Sequence, residues 1–130
     1  MTGPVPIGQP QGLLGFVLRE IGTGAATWEY TVDPAHFNPN GALHGGVTMA
    51  LLDTAMGYAV ATQVFPQGRI NAAAQMSINF LAPVRSGKLS ATAKVLKIGK
   101  RLAVVEGQAF DDAGTLVATA TSTHSILPGP

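Results

Sequence analysis

From Gly46 to Ala61 the chain reads GVTMALLDTAMGYAVA, apolar or small at nearly every position and uncharged except at Asp53. A helix that is apolar all round has to be covered on several sides, so this segment predicts a central buried helix. Burying an unpaired carboxylate costs on the order of several kcal/mol, so Asp53 needs a reason to be there. Asp53 also interrupts the only run that approaches the roughly 20 apolar residues of a membrane span. Helical spacing predicts Gly46, Met49, Ala50, Met56, Gly57 and Val60 on the side of Asp53, with small residues leaving room for a ligand, a water or another backbone.

The rest of the chain is read around that helix. Residues 1–12 hold three prolines and three glycines and read as an N-terminal arm; residues 13–130 read as a single domain. Leu13–Ile21 alternates weakly as a strand. Ala26, Trp28, Tyr30 and Val32 share one face of a second strand, which Asp33-Pro34 ends. The helix begins near Gly45 and stops at Phe65-Pro66-Gln67-Gly68. Strands alone follow: Met76, Ile78 and Phe80 alternate with Ser77 and Asn79, and Leu89, Ala91, Ala93 and Val95 alternate with Ser90, Thr92 and Lys94. Gly99-Lys100-Arg101 turns into Leu102–Phe110, and Asp111–Gly114 turns into a last strand with Leu116, Ala118 and Ala120 on one face. Short turns between consecutive strands predict an antiparallel sheet, curved around the helix.

Composition narrows the function classes. Only 12% of residues are charged against 46% hydrophobic, about half the usual charged share, which predicts apolar surface covered by a copy of the same chain. The net charge of +1 gives no field for nucleic acid. With no cysteine there is no thiol nucleophile and no thiolate metal site, and the three histidines lack ligand spacing, so no metal is expected. The start lacks the basic and apolar parts of a signal peptide, and the chain reads as cytoplasmic with no membrane association. No Gly-x-Ser-x-Gly elbow and no phosphate-cradling loop is present.

Asn38-Pro39-Asn40-Gly41-Ala42-Leu43-His44-Gly45-Gly46 leads into the helix. Backbone N–H groups at Gly45 and Gly46 are unpaired at a helix start, where a main-chain donor can hold a developing oxyanion. His44 and Asn38 are polar groups that can orient a carbonyl or a water. All basic residues except Arg19 fall between Arg69 and Arg101, either as solvated strand ends and turns or as a rim for an anionic ligand. His124, near the end of the last strand, reads as structural.

The run Asn38-x-x-Gly41-x-x-His44-Gly45-Gly46, with Asp53 on the following helix, resembles the hot-dog-fold acyl-CoA thioesterases of the PaaI type, which act on phenylacetyl-CoA and hydroxybenzoyl-CoA derivatives. The run Met76-Ser77-Ile78-Asn79-Phe80-Leu81-Ala82-Pro83 with Gly87 is similar to the strand after the helix in that family, and the resemblance covers about residues 13–127. It implies an α+β hot-dog fold, a curved antiparallel sheet of about six strands around one long central helix. It also implies a homo-oligomer, a dimer with continuous sheets or a dimer of dimers (a homotetramer), with active sites at the dimer interface.

The implied reaction is hydrolysis of a small aromatic or medium-chain acyl-CoA to free acid and coenzyme A, with no cofactor. Asp53 of one subunit would face Asn38, His44 and Gly45 of the other: Asp53 would be general base or nucleophile, the Gly45 N–H would polarise the thioester carbonyl, and His44 and Asn38 would position the thioester or the water. Gly46, Thr54, Gly57 and Ala73 would lie along the substrate, with Arg85, Lys88, Lys100 and Arg101 as candidates for the coenzyme A phosphates. Tyr58, Phe65 and Phe80 would shape the acyl pocket. One departure stands out: many relatives carry a Ser or Thr near the acid on the strand after the helix, where this chain has Ala72-Ala73-Ala74, leaving Asn71, Gln75 or Thr54 to replace that hydroxyl. Two alternatives remain open. His36-Phe37-x-Pro39 resembles the His-Phe loop of hot-dog hydroxyacyl dehydratases, and the alanine run fits a non-catalytic acyl-CoA-binding module.

Overall fold

The computed structural model describes residues 9–130. Most of the expected arm, residues 1–8, lies outside the described residues. Gln9–Leu14 form a short helix, α1, so Leu13 and Leu14 end a helix rather than begin a strand. Gly15 follows with φ 76°, a left-handed conformation that favours glycine and ends the helix before β1 (Phe16–Gly22) can start.

Six strands form one sheet: β1, β2 (Ala25–Thr31), β3 (Arg69–Phe80), β4 (Lys88–Ile98), β5 (Leu102–Phe110) and β6 (Leu116–Pro128). Their spatial order is β1-β2-β4-β5-β6-β3, and every neighbouring pair is antiparallel. The long helix α2, Gly45–Val64, packs across one face. The strand alternation read from the sequence is the burial pattern: Ala26, Trp28 and Tyr30, then Leu89, Ala91 and Ala93, then Ala118 and Ala120 all point into the core. Against them α2 buries Leu51, Leu52, Met56 and Val60 completely, each worth about 1.5–3 kcal/mol. Gly107 on β5 lets the helix come close, because a Cβ there would stand 3.1 Å from Leu52 Cδ2 and 3.2 Å from Met56 Cγ.

The sheet covers only part of the helix. Gly46, Met49 and Asp53 face outward and Ala50 and Gly57 are half-buried beside them, so this much of the expected Asp53 face exists. Met56 and Val60 do not belong to it. Met56 is turned under the sheet at Gly107, and Val60 is fully buried.

β3 is the edge strand beyond β6, and it carries a β-bulge. Ala73 pairs with His124 but Gln75 pairs with Thr123, so Ala74 is one residue in excess. The Ser122 hydroxyl donates to the Gln75 carbonyl at 2.9 Å and closes the irregularity. Ala72–Gln75 are exposed along the edge.

Candidate active site

The helix entrance is a braced turn. Asn38 Oδ1 accepts from the N–H groups of Asn40 (2.9 Å) and Ala42 (3.2 Å), and the Asn38 N–H donates to the Ala42 carbonyl at 2.8 Å. The oxygen of the side chain is therefore spent on the loop, and its two N–H donors remain. His44 Nδ1 accepts from the Gly46 N–H at 2.8 Å and caps α2. Accepting at Nδ1 places the proton of the neutral ring on Nε2. Gly46 is thus occupied by the cap, whereas the Gly45 N–H has no acceptor among the described residues.

Asn38 and Gly45 line one cavity of about 330 Å³ together with Leu43, Thr48, Phe80 and Val84. The Phe80 ring lies over Gly45, with ring atoms 3.0 Å and 3.1 Å from where a Cβ would stand. Its edge is apolar and its donors are few, the usual make-up of a small-molecule site.

Asp53 is not in that cavity. It lies eight residues along the same helix, about 12 Å from Gly45 at 1.5 Å per residue. In the single chain its carboxylate is exposed, contrary to the burial that the apolar run predicts. The flat hydrophobicity around α2 gives no sign of which side the sheet leaves open, and Asp53 is on that side.

The remaining candidates separate. Thr54 is buried, and its hydroxyl donates to the Ala50 carbonyl at 2.8 Å within the helix. Gln75 turns outward and donates to Ser77 Oγ at 2.7 Å. Ala73 lies on the inner face opposite His124. Arg85 and Lys88 stand at the helix-entrance end, Lys88 in contact with Glu29 at 3.4 Å. Lys100 and Arg101 are beyond the other end of β4, about 30 Å away, so one chain does not gather all four basic groups around one phosphate. His36 Nδ1 is 2.6 Å from the Tyr30 hydroxyl, which also accepts from the Asp33 N–H at 3.0 Å. That imidazole ties the loop to β2. No cluster of potential metal ligands occurs among the described residues.

His124 is the residue that the sequence undersold. It is 2% exposed, and its Nδ1 lies 3.1 Å from Asn71 Nδ2, which also donates to the Gly57 carbonyl at 3.1 Å. A carbonyl can only accept, so it fixes the Asn71 amide as donor and His124 Nδ1 as acceptor. The proton is then on Nε2, which is buried without a partner among the described residues, an arrangement that costs about 1–3 kcal/mol. Burial pulls the His124 ring below its ordinary pKa, and the Asp53 charge opposes that shift. A lone histidine on an apolar strand gives no sign of this in the sequence, although Asn71 and Gly57 were both visible.

The sequence matches the thioesterase superfamily over residues 40–118, from the loop through α2 to β6. The chain belongs to the thioesterase superfamily. Among its thioesterase relatives, human acyl-coenzyme A thioesterase 13 is 32% identical, over 85% of this chain and 79% of that protein. The 1,4-dihydroxy-2-naphthoyl-CoA hydrolase of Listeria monocytogenes is 28% identical, over 89% of this chain and 94% of that protein. The PaaI protein of the Escherichia coli phenylacetic acid degradation operon superposes with a TM-score of 0.86 at 28% identity, covering 92% of this chain and 85% of that one. This thioesterase-superfamily chain is a thioester hydrolase with a hot-dog fold.

Proposed function

We infer that the protein hydrolyses acyl-CoA thioesters to free acid and coenzyme A at a site shared between two copies of the chain. The observation that carries this reading is the separation of Gly45 from Asp53 along one helix. A reacting carbonyl needs its oxygen about 3 Å from the donors and its carbon within reach of the attacking group. One chain cannot supply both across about 12 Å. Two copies can, with Asn38 and Gly45 of one facing Asp53 of the other. The acyl-CoA relatives support the substrate class.

In this reading the Gly45 N–H and the Asn38 amide hold the thioester oxygen as it becomes an oxyanion, next to the positive end of the α2 dipole. Asp53, exposed and beside the open helix face, takes a proton from water as the water oxygen bonds the carbonyl carbon. The C–S bond then breaks, and the His44 Nε2–H stabilises the departing thiolate. Arg85 and Lys88, at the entrance end, are the basic groups placed to meet coenzyme A phosphates. The β3 edge supports the pairing of copies. Twelve residues long, uncharged after Arg69 and free of proline, it lacks the short length, charges and prolines that keep an edge strand single, and its bulge at Ala74 is the one interruption. A dimer through this edge, with a dimer of dimers above it, is the assembly proposed.

Free-thiol release from a panel of aromatic and medium-chain acyl-CoAs tests the function, with Asp53→Asn beside wild type. Release that falls by about 10²–10⁴-fold in the variant supports it; unchanged release rejects the role of Asp53, and no release by wild type from any thioester rejects the reading.

A further inference from the structure

We propose that His124 is a positioning residue for this reaction: its Nε2–H holds the attacking water against Asp53, in place of the strand hydroxyl that Ala72-Ala73-Ala74 lacks. The inference rests on the acyl-CoA hydrolysis reading above. Its foundation is geometric. The Gly57 carbonyl orients the Asn71 amide, Asn71 in turn orients His124, and the ring is left with one donor that has no partner among the described residues. Gly57 is one helical turn after Asp53 and on the same open face, and a Cβ added to it would stand 4.0 Å from His124 Cε1. His124 therefore lies against the helix at Gly57, one turn beyond Asp53.

Ala73 pairs with His124 across β3 and β6, so both side chains leave the sheet on the face that carries α2. A hydroxyl at Ala73 and an imidazole at His124 would reach the same space from adjacent strands. The chain carries only the second. Of the groups packed around His124, Asn71 is consumed by Nδ1, Ala73 and Ala103 are apolar, and Asp53 is the one carboxylate that acts on the ring.

In the step itself His124 keeps its proton. Water accepts the Nε2–H bond at its oxygen, gives one proton to Asp53, and its oxygen forms the new bond to the thioester carbon. The C–S bond breaks, and the thiolate recovers the proton from Asp53. The ring sets the direction of the water lone pair and nothing is transferred to or from it.

Two substitutions separate this role from packing. His124→Asn keeps an acceptor for Asn71 but removes the donor at the Nε2 position; His124→Gln keeps a donor near that position. In the thiol-release assay, His124→Asn is expected to lower kcat about thirtyfold with KM within about threefold, and His124→Gln to retain most of kcat. Ala73→Ser added to His124→Asn is expected to restore about tenfold of the lost kcat, which a packing defect would not allow. A nitrogen-15 NMR measurement on wild type and Asp53→Asn gives a readout that does not depend on turnover: the neutral ring is expected as the Nε2–H tautomer, with its signals displaced in the variant. Wild-type turnover that survives His124→Asn overturns this assignment alone, as does an Nδ1–H tautomer or an equal loss in both His124 variants with no recovery from Ala73→Ser. Wild type that releases no thiol from any thioester overturns the acyl-CoA reading and this assignment together.

Discussion

His44 Nδ1 accepts the Gly46 N–H at 2.8 Å, so one imidazole both starts the helix and turns its remaining proton outward. The two jobs can be separated by substitution. His44→Ala removes both, and is expected to cost about 1 kcal/mol of stability together with turnover. His44→Asn keeps an effective cap but has no donor at Nε2, so its thermal midpoint stays at the wild-type value while kcat falls. A kcat unaffected in both would confine His44 to capping.

A site divided between copies allows two inactive chains to repair each other. Asn38→Asp keeps the oxygen that braces the turn and removes the amide donors, and Asp53→Asn removes the base. Each is expected to be inactive alone. Co-expressed, half of the randomly assorted dimers are mixed and each mixed dimer carries one intact site, so about a quarter of wild-type activity returns. No recovery from a mixture shown to contain mixed dimers would contradict the shared site.

Burial of His124 makes stability depend on pH. Its folded pKa lies below the ordinary imidazole value of 6.5, mainly through burial. Above pH 6.5 the ring is neutral in both folded and unfolded chains and its contribution is complete. As pH falls through that value the unfolded chain takes up a proton that the buried ring resists, and stability declines until the folded value is passed. The thermal midpoint should drop as pH falls through 6.5 and below, and His124→Gln should flatten that drop. An identical slope in the variant would assign the loss to other groups.

Gly107 sets how closely α2 approaches β5. Its Cβ would stand 3.1–3.3 Å from Leu52 and Met56, both fully buried, so Gly107→Ala overpacks the core. A loss of about 1–3 kcal/mol in chemical denaturation is expected. A stabilised variant would show that Met56 repacks without strain.

Much of this arrangement can be read from the chain itself. The period-two burial on β2, β4 and β6, the Phe65-Pro66 stop and the glycine pair after His44 are local signals with local causes, and the structure follows them. The start of β1 is not legible in the sequence, because Leu13 and Leu14 fit a strand or a helix equally and only the left-handed Gly15 decides. The faces of α2 were beyond reach for a different reason. Where nearly every position is small or apolar, hydrophobicity cannot tell Met56, under the sheet, from Met49, on the open side. His124 needed the register of two strands, a long-range fact that no spacing within one segment carries.

The surplus residue at Ala74 works as a phase-setter for the strand. On one side of it Asn71 and Ala73 face the helix; on the other Met76, Ile78 and Phe80 do, matching Ala118, Ala120, Ser122, His124 and Ile126 across the ladder. Were the count one shorter, either the polar half or the apolar half of β3 would be turned inside out. Phe80 would leave Gly45, or Asn71 would let go of Gly57 and His124. A single alanine in the middle of an unremarkable run thus keeps Phe80 over Gly45 and Asn71 on Gly57 and His124 at the same time.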